Sequence, residues 1–492
     1  MEEKVLFDVK LTEEDINTLI KKGSIGEFRI LLHITGQIKK YFLTKEDEVF
    51  AIVPKINGDA QVNVESSSFE DWLISKFFNL TSTPVHSRSI TSLVKVITAK
   101  IREETINKKS LALRVVEHNS KLIINLGNID GDVIVMDEGK WEIENLSSDL
   151  IFLRNKSQES FPYPKVNGNL SLLRNYINLP DEKWYLLLGF ILGCYHPKGP
   201  YPILIVQGTN GAGKSSFARI MKKLIDPASE FIRSFPSTEK ELFMAAISNH
   251  LLIYDNLSGL KKDMSDALCK LSTGAAYSTK TLYTTMDETT ISATRPVIVN
   301  GIDYIAARED LKDRAIILEI PKIKDVNRVD EETFWNSFNT DLPFILGGLF
   351  DVIAEIYHTY RSIKLPETPR MADFIKWVTA GEGKIGLNKF EFINIYKKHK
   401  VEAAIDSIED DTLALGITKF LEHSNVLQGT ASEIIKLVGD ILRRDGFYLK
   451  EDWLPPNKFK ELISRRKPAL ENIGITYEYI RGKERIHTFR RE

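Results

Sequence analysis

A glycine-rich loop between an apolar run and an amphipathic segment constrains the fold of this chain more than any other feature. The sequence GTNGAGKSS, residues 208–216, follows ILIV and satisfies the pattern G-x-x-x-x-G-K-[ST]. Small residues let backbone N–H groups curl around phosphates. The pattern therefore predicts a buried strand, a phosphate-binding loop and a helix, and the alternative is a strand–turn–helix connection without a ligand. Apolar residues recur at helical spacing after the loop, at Phe217, Ile220, Met221, Leu224 and Ile225.

The nine residues of this loop are predicted to form a nucleotide site. Lys214 would reach the β- and γ-phosphates, Ser215 would ligate Mg²⁺, and the positive end of the following helix would face the charge. ATP and Mg²⁺ are therefore the predicted cofactors. The residues expected to contact the nucleotide are Gly208, Thr209, Asn210, Gly211, Ala212, Gly213, Lys214, Ser215 and Ser216.

Two further apolar runs end in polar residues suited to metal and phosphate chemistry. HLLIY is followed by Asp255, which we expect to hold Mg²⁺ through water; a helix cap or turn is the other interpretation. Asn256 stands where many ATPases with a loop of this kind have a glutamate. The identity of the catalytic base therefore stays open, and the candidates are this amide and an acid such as Glu288. RPVIVN ends in Asn300, which is placed to sense the γ-phosphate, unless it serves only the turn before Gly301.

An arginine that precedes the last strand of this region is predicted to act between subunits. Arg314 lies directly before AIILEI and would stabilise charge in a neighbour's site, a role for which Arg308 is the alternative. A surface arginine paired with Asp310 or Asp313 is the competing interpretation. The predicted catalytic residues are Lys214, Asp255, Asn256, Asn300 and Arg314.

The alternation of apolar strands and helical patterns after residue 176 predicts a multidomain α/β protein. The order of the implied strands suits an ATPase core of the AAA+ kind. These strands are the one before the loop, EFIRSF, LLIYD, PVIVN and AIILEI. A GTPase would need N-K-x-D for base recognition, and the sequence lacks it. The predicted parts are an N-terminal α+β domain of unknown role (1–95), a β-rich segment (96–175), the AAA+ core (176–365), a helical linker or lid region (366–429) and a winged helix-turn-helix domain (430–492).

Composition excludes several other classes of protein. Across 492 residues, 66 Lys and Arg balance 68 Asp and Glu, so nucleic-acid binding must rely on local patches. Two distant cysteines, Cys194 and Cys269, exclude a zinc ribbon and argue against a disulfide scaffold. The mixed, acidic N-terminus is unlike a signal peptide, and the apolar run 185–195 is too short to span a bilayer. We therefore expect a cytoplasmic protein without a membrane partner.

The C-terminal segment carries a local excess of positive charge. Residues 430–492 follow a helix, helix, hairpin pattern typical of a winged helix-turn-helix, in which Pro468 is expected to kink or divide the second helix. Residues 458–492 contain ten Lys and Arg and five Asp and Glu. A winged fold used for protein contacts is the alternative to DNA binding. The residues expected to reach a DNA groove are Lys458, Lys460, Arg465 and Arg466, and those expected on the DNA backbone are Arg481, Lys483 and Arg485.

Several motifs, taken in order, resemble one known group of proteins. QGTNGAGKSS, LLIYDN, RPVIVNGI, REDLKDRAIILEI and PRMADFIKW are similar to superfamily 3 and phage-type primase-helicases of mobile genetic elements. They also resemble the minichromosome-maintenance-like replication helicases of staphylococcal islands. The resemblance covers roughly residues 100–492 and implies a homo-hexameric, ATP-driven DNA helicase.

The resemblance also implies roles for a hairpin and for a second arginine. The alternating pattern STKTLYTTMDETTISAT predicts a hairpin, which in the resembled helicases lines the central channel and grips the phosphate backbone. Lys280 is the expected contact, with Tyr283 or Lys270 beside it; an exposed edge-strand lysine is the alternative. Arg370 would sense the nucleotide, or would only pair with Asp373.

Together these features predict an ATP hydrolase and ring-forming DNA helicase that moves on a single strand during replication of a mobile element. An ATP-regulated initiator or loader that binds duplex DNA without unwinding it is the alternative. A stand-alone nucleotide-metabolising enzyme is disfavoured by the basic tail.

Overall fold

The computed structural model divides the chain into two compact units. One unit comprises Met1–Ile134 and Ile143–Lys156, and the other comprises Val135–Glu142 and Ser157–Glu492. The finer division into five parts stays a prediction. The structure describes residues 7, 9–44, 47–55, 58–105, 108–128, 130–145, 150–155, 157–209, 211–257, 259–280, 288–301, 308–322, 329–409, 411–450, 452–482 and 485–491.

The first unit packs helices against a small antiparallel sheet. Glu27 is buried and accepts a hydrogen bond from the Ser89 hydroxyl at 2.6 Å, which ties two helices together. Burial raises the pKa of the Glu27 carboxyl, but hydrogen bonds from Ser89 and His86 outweigh burial and hold that pKa below its ordinary value. The elements are α1 (Glu13–Ile20), α2 (Gly23–Thr35), β1 (Lys40–Leu43), β2 (Val49–Lys55), β3 (Gly58–Asn63), α3 (Ser67–Thr81) and α4 (Ser87–Glu104), with the strands in the order β1-β2-β3.

A run of short strands follows α4, within the segment predicted from the sequence to be β-rich. The first strand, β4, pairs in parallel with β9, whereas β5 and β6 form an antiparallel hairpin. The turns between these strands carry residues with positive φ, among them Asn119 and Gly139. The strands are β4 (Ser110–Ala112), β5 (Val115–His118), β6 (Lys121–Asn125), β7 (Asp132–Asp137), β8 (Lys140–Asn145) and β9 (Leu150–Phe152).

The second unit contains a parallel sheet covered by helices. Its elements begin with α5 (Asp181–Gly193), β10 (Ile203–Gln207), α6 (Lys214–Ile225), α7 (Glu239–Ser248), β11 (Leu252–Leu257), α8 (Lys262–Thr273), β12 (Ala276–Lys280), β13 (Glu288–Ser292), β14 (Val297–Gly301), α9 (Glu309–Lys312) and β15 (Ala315–Glu319). The sheet order is β11-β14-β10-β15, and every neighbouring pair is parallel. The carboxyl ends of all four strands therefore meet at one edge of the sheet.

Helices dominate the next part of this unit. They are α10 (Glu331–Thr359), α11 (Ala372–Thr379), α12 (Glu391–Glu409) and α13 (Thr412–His423). By length and composition, one stretch of the described chain, Glu331–Ser362, is long and apolar enough to cross a membrane, but 67% of its most apolar window is buried inside the protein. A buried core helix passes the same test, so this stretch is weak evidence for a membrane span.

The C-terminal elements are two helices and a three-stranded antiparallel sheet in the order β16-β18-β17. The long second helix runs through Pro468 as one element, so the predicted division of this helix is wrong. The core between helices and sheet includes Val438, Phe459 and Phe489. The elements are β16 (Val426–Gly429), α14 (Ala431–Arg444), α15 (Phe459–Asn472), β17 (Ile475–Arg481) and β18 (Arg485–Arg491).

Two glycines of α10 let another backbone segment approach the helix closely. A Cβ added at Gly347 would lie 1.8 Å from the carbonyl oxygen of Lys165, and one at Gly348 would lie 2.4 Å from the amide nitrogen of Leu170. Both neighbours are backbone atoms, which cannot move aside as a flexible side chain would. The segment 165–170 therefore requires glycine at these helical positions.

We predict that Gly347→Ala lowers the free energy of unfolding by about 1–3 kcal/mol, because the new methyl group overpacks the contact. An ordinary helical glycine would gain stability from the same change. Gly383→Ala is the matched control, since a Cβ there meets no atom within 4 Å. Urea unfolding of both variants measures the difference, and equal stabilities would contradict the packing argument.

Candidate functional site

The loop that follows β10 needs glycine at three positions. Gly211 and Gly213 have φ values of 81° and 85°, in the left-handed region that disfavours other residues. A Cβ at Gly208 would lie 2.9 Å from the carbonyl oxygen of Ile320. Strand β10 ends at Gln207, directly before the 208–216 motif, and helix α6 begins at Lys214 within it, so the predicted strand and helix are both present.

The Lys214 side chain folds over the inside of this loop. Its ammonium donates hydrogen bonds to the carbonyl oxygens of Gly208 at 2.5 Å and Thr209 at 3.2 Å. The first turn of α6 contains no acidic residue, and the first N–H groups of a helix lack partners within it. A cation and unpartnered N–H groups at one helix end form an environment suited to an anion.

A cleft of about 910 Å³ opens beside the loop. Its lining includes Ala212, Gly213 and Ser215 of the 208–216 motif, together with two aromatic residues from elsewhere in the chain, Tyr176 and Trp335. The cleft therefore brings the glycine loop together with aromatic side chains, here called the aromatic wall, a combination that suits the polar and apolar halves of a nucleotide.

The aromatic wall of this cleft is held rigidly. The Tyr176 ring lies edge-on to Phe334 and Phe338, with centroids 5.6 and 5.1 Å apart. Its hydroxyl donates to a carboxylate oxygen of Asp341 at 2.7 Å. Burial, supported by the nearby Asp341 charge, raises the pKa of the Tyr176 hydroxyl. Sequence reasoning missed this wall, because its residues lie far from the loop in the chain; the only signal was the FW pair near the start of α10.

Asp255 and Asn300 lie at the edge of the sheet where the glycine loop begins. Strand β14, which ends with Asn300 and Gly301, lies between β10 and β11. Asn300 is 0% exposed, and neither its amide nitrogen nor its amide oxygen has a hydrogen-bond partner among the described residues. A buried amide with both groups unpaired is costly. Such a group needs an explanation, and a bound ligand, ion or water that satisfies it is one.

Asp255 is half-buried and accepts a hydrogen bond from the backbone N–H of Asn256 at 2.8 Å. Asn256 itself is exposed and has a φ of 60°. Glu288, the other candidate for the base, starts β13, and its side chain lies outside the described part of the chain.

The predicted arginines are held by neighbouring acidic residues or carbonyls. Arg308 donates to both carboxylate oxygens of Asp310, at 3.0 and 2.9 Å, and also pairs with Asp266. Arg314 is half-buried and donates to the backbone carbonyl of Asp310 at 2.8 Å. The roles of both arginines between subunits stay predictions.

Arg370 has a different partner from the one expected. Its guanidinium pairs with Asp313 at 2.8 Å. The interpretation in which Arg370 pairs with Asp373 is therefore wrong, because a tertiary contact replaces the local one.

The predicted hairpin exists as two paired strands. Strand β12 pairs antiparallel with β13, and Lys280 lies opposite Glu288. The Lys280 side chain and the whole of Tyr283 lie outside the described residues, as does Asn210 of the loop. Lys270 forms an ion pair with Glu239 at 2.8 Å.

The basic residues of the C-terminal region differ in their exposure and in their contacts with other side chains. Arg466 donates to Asp411 at 2.8 Å, and Asp411 caps α13, so this guanidinium ties α15 to α13. The Lys460 ammonium lies 3.9 Å from the centre of the Tyr479 ring. Lys458 and Arg481 are exposed. Lys483 and the side chain of Arg465 lie outside the described residues.

Comparison with protein families gives one match. Residues 169–411 match the family described as the actinomycete integrative conjugative element replication protein. The predicted resemblance to replication proteins of mobile elements is therefore confirmed for this part of the chain. No curated protein matches the chain.

Solved structures with a similar arrangement include one described as "SCCmec type IV Cch - active helicase". It is 13% identical, covers 92% of each chain and has a TM-score of 0.46. The apo structure of the NrS-1 C terminal region (305-718) is 14% identical, covers 96% of this chain and 100% of that one, and has a TM-score of 0.40.

We predict that Asn300→Leu makes the ligand-free protein more stable by about 1–3 kcal/mol, because an apolar side chain of similar shape removes two unpaired buried groups. Asn125→Leu is the control and should be destabilising, since the Asn125 side-chain oxygen accepts a hydrogen bond from Gly127 at 2.9 Å. Denaturant unfolding without nucleotide measures both effects. A loss of stability in Asn300→Leu would show that the amide has a partner in the free protein.

Proposed function

We propose that this protein is an ATP-driven DNA helicase that acts in the replication of a mobile genetic element. The observation that carries the proposal is the buried, unpaired amide of Asn300, one strand from the glycine loop and beside Asp255. A folded protein keeps such an amide where a bound group uses it, and the γ-phosphate and the attacking water are the groups that this position suits.

The strand order supports an AAA+ core. The loop strand β10 lies between β14 and β15, and β11 lies beyond β14. On the far side of β11, Arg233 continues the parallel pattern: its N–H donates to Ile253 at 3.0 Å, and its carbonyl accepts from Asp255 at 3.3 Å. Four of the five strands that the sequence implied are therefore strands of the sheet, whereas the segment EFIRSF contributes a single bridging residue, Arg233.

The residues at the sheet edge suit ATP together with Mg²⁺. Lys214 and the start of α6 would hold the phosphates, and Ser215 and Asp255 would ligate the metal directly or through water. Mg²⁺ would supply charge neutralisation on the phosphates. Asn300 would donate its amide to the terminal phosphate, and the aromatic wall at Tyr176 and Trp335 would pack against the base.

The hairpin gives a route from this site to DNA. Strand β13 ends at Ser292, and β14, which carries Asn300, begins at Val297. The hairpin is also braced from one side, because Tyr277 stacks on Phe243 of α7 with centroids 5.9 Å apart. A movement of the Asn300 strand on hydrolysis would therefore pass to Lys280. That lysine would hold a phosphate without sequence preference, as translocation requires.

The C-terminal elements support a winged helix-turn-helix. Helix α13, strand β16, helices α14 and α15 and the β17–β18 hairpin follow one another in the order of that fold. The exposed Lys458 and Arg481 are better placed for DNA than Arg466, whose charge is neutralised by Asp411. We further propose that the protein forms a homo-hexameric ring and acts in the cytoplasm.

The second candidate function is an initiator or loader that binds duplex DNA under ATP control and does not unwind it. The winged arrangement favours this candidate, since it suits duplex DNA. The family match describes a replication protein and is compatible with both functions.

Unwinding of a forked DNA substrate tests the proposal. We expect the wild type to separate the strands only with ATP and Mg²⁺, and Lys214→Ala to lose at least about 100-fold in ATP hydrolysis, because the phosphate charge loses its cation. ATP hydrolysis without strand separation would favour the loader.

The hairpin separates the two functions further. We expect Lys280→Ala to reduce both DNA-stimulated ATP turnover and unwinding at least about tenfold, since each subunit of a ring loses a phosphate contact. Lys262→Ala, on the exposed start of α8, is the control for loss of a positive charge. If the Lys280 variant unwinds DNA as the control does, the hairpin does not drive translocation.

A further inference from the structure

Strand β11 contains an irregularity at the candidate metal-binding position. Tyr254 pairs with Val299 and Leu257 pairs with Gly301, so two residues of β11 stand opposite the single residue Asn300. Such a bulge is rare between parallel strands and is frequent next to active sites. The two residues that form it are Asp255 and Asn256.

The bulge changes which side chains face the core. Leu252, Tyr254 and Leu257 all belong to one hydrophobic cluster, although regular alternation would bring residue 256 rather than Leu257 to that face. Asp255 is still in regular register, because its N–H and the carbonyl of Ile253 both bond to Arg233. Asp255 therefore lies on the face opposite to Tyr254. Asn300 follows Val299, another member of the cluster, and so lies on that same opposite face.

Asn256 is the extra residue, and its backbone has the conformation that the bulge needs. Its φ of 60° lies in the left-handed region, which glycine and asparagine adopt far more readily than other residues. In this conformation its N–H donates to Oδ1 of Asp255 at 2.8 Å, which fixes that carboxylate and leaves Oδ2 for a ligand. The Asn256 side chain is exposed, and no hydrogen bond to its amide is found among the described residues.

We propose that Asn256 is a positioning residue, whose left-handed backbone aims the Asp255 carboxylate at the metal and whose amide does not take part in the reaction. This inference rests on the proposed function, since it assigns a role within the same nucleotide site. It accounts for the asparagine at this position, because a glutamate would be strained in the left-handed conformation. The amide that contacts the nucleotide is then Asn300, which is buried, rather than Asn256.

Two substitutions at Asn256 separate the backbone from the amide. Asn256→Gly and Asn256→Ala both remove the amide, but only glycine adopts the left-handed conformation without strain. We expect Asn256→Ala to hydrolyse ATP about tenfold more slowly than the wild type and to need more Mg²⁺ for half-maximal activity. Asn256→Gly should recover most of the activity and a Mg²⁺ dependence close to that of the wild type.

The control is Asn167, an exposed asparagine with the same φ of 60° outside the site. Asn167→Ala introduces a similar backbone strain, which should lower the unfolding midpoint without changing the Mg²⁺ dependence. Thermal unfolding of the ligand-free variants should likewise rank Asn256→Gly above Asn256→Ala.

Equal impairment of Asn256→Gly and Asn256→Ala in an active protein would overturn this proposal alone, because the amide itself would then be required. An Asn256→Ala variant with wild-type rate and Mg²⁺ dependence would also overturn it. A wild-type protein that neither binds nor hydrolyses ATP with Mg²⁺ would instead overturn the proposed function, and this inference with it.

Discussion

The common direction of the four strands β11-β14-β10-β15 is the constraint on which the rest of the site depends. Parallel strands end at one edge, so residues that are 45 to 92 positions apart, such as Gly208, Asp255 and Asn300, come together without any direct signal in the sequence. The same edge receives the start of α6, which adds unpaired N–H groups and Lys214. The proposed site for a phosphorylated ligand depends on this geometry rather than on one residue.

The sheet also buries a polar group of the candidate site. Hydrophobic residues such as Val297 and Val299 bury one face of β14, and the amide of Asn300 is as completely buried as they are. In the absence of a ligand we expect this amide to weaken the fold, which is the pattern expected where stability has been given up for binding. The bulge in the neighbouring strand β11 fits the same pattern of lower stability at the site, because it interrupts strand pairing at the position of Asp255.

Sequence patterns predicted the parts of this site that depend on local chemistry. The glycine loop, the amphipathic helix and the apolar strands are visible in the sequence because each has its own spacing or conformational requirement. The aromatic wall was not predicted, since Tyr176 and Trp335 reach the cleft only through tertiary packing. The bulge was not predicted either. In the sequence, an asparagine directly after Asp255 was interpreted as a candidate for the catalytic base and not as a residue with a left-handed backbone conformation.

The ion-pair partners of charged residues could not be predicted from the sequence either. Local spacing suggested that Arg370 pairs with Asp373, but the partner is Asp313, far away in the chain. Arg466 belongs to a basic segment, yet Asp411 of another helix neutralises it. Net charge in a segment therefore indicates a surface for DNA, whereas the choice of contact residues within it requires the folded structure.

A crystal structure with Mg²⁺ and a non-hydrolysable ATP analogue tests the account most directly. The account predicts the triphosphate inside the 208–216 loop, the metal near Ser215 and Asp255, and the Asn300 amide within hydrogen-bonding distance of the terminal phosphate. An analogue bound elsewhere, or bound in the loop while both atoms of the Asn300 amide stay unpaired, would contradict it.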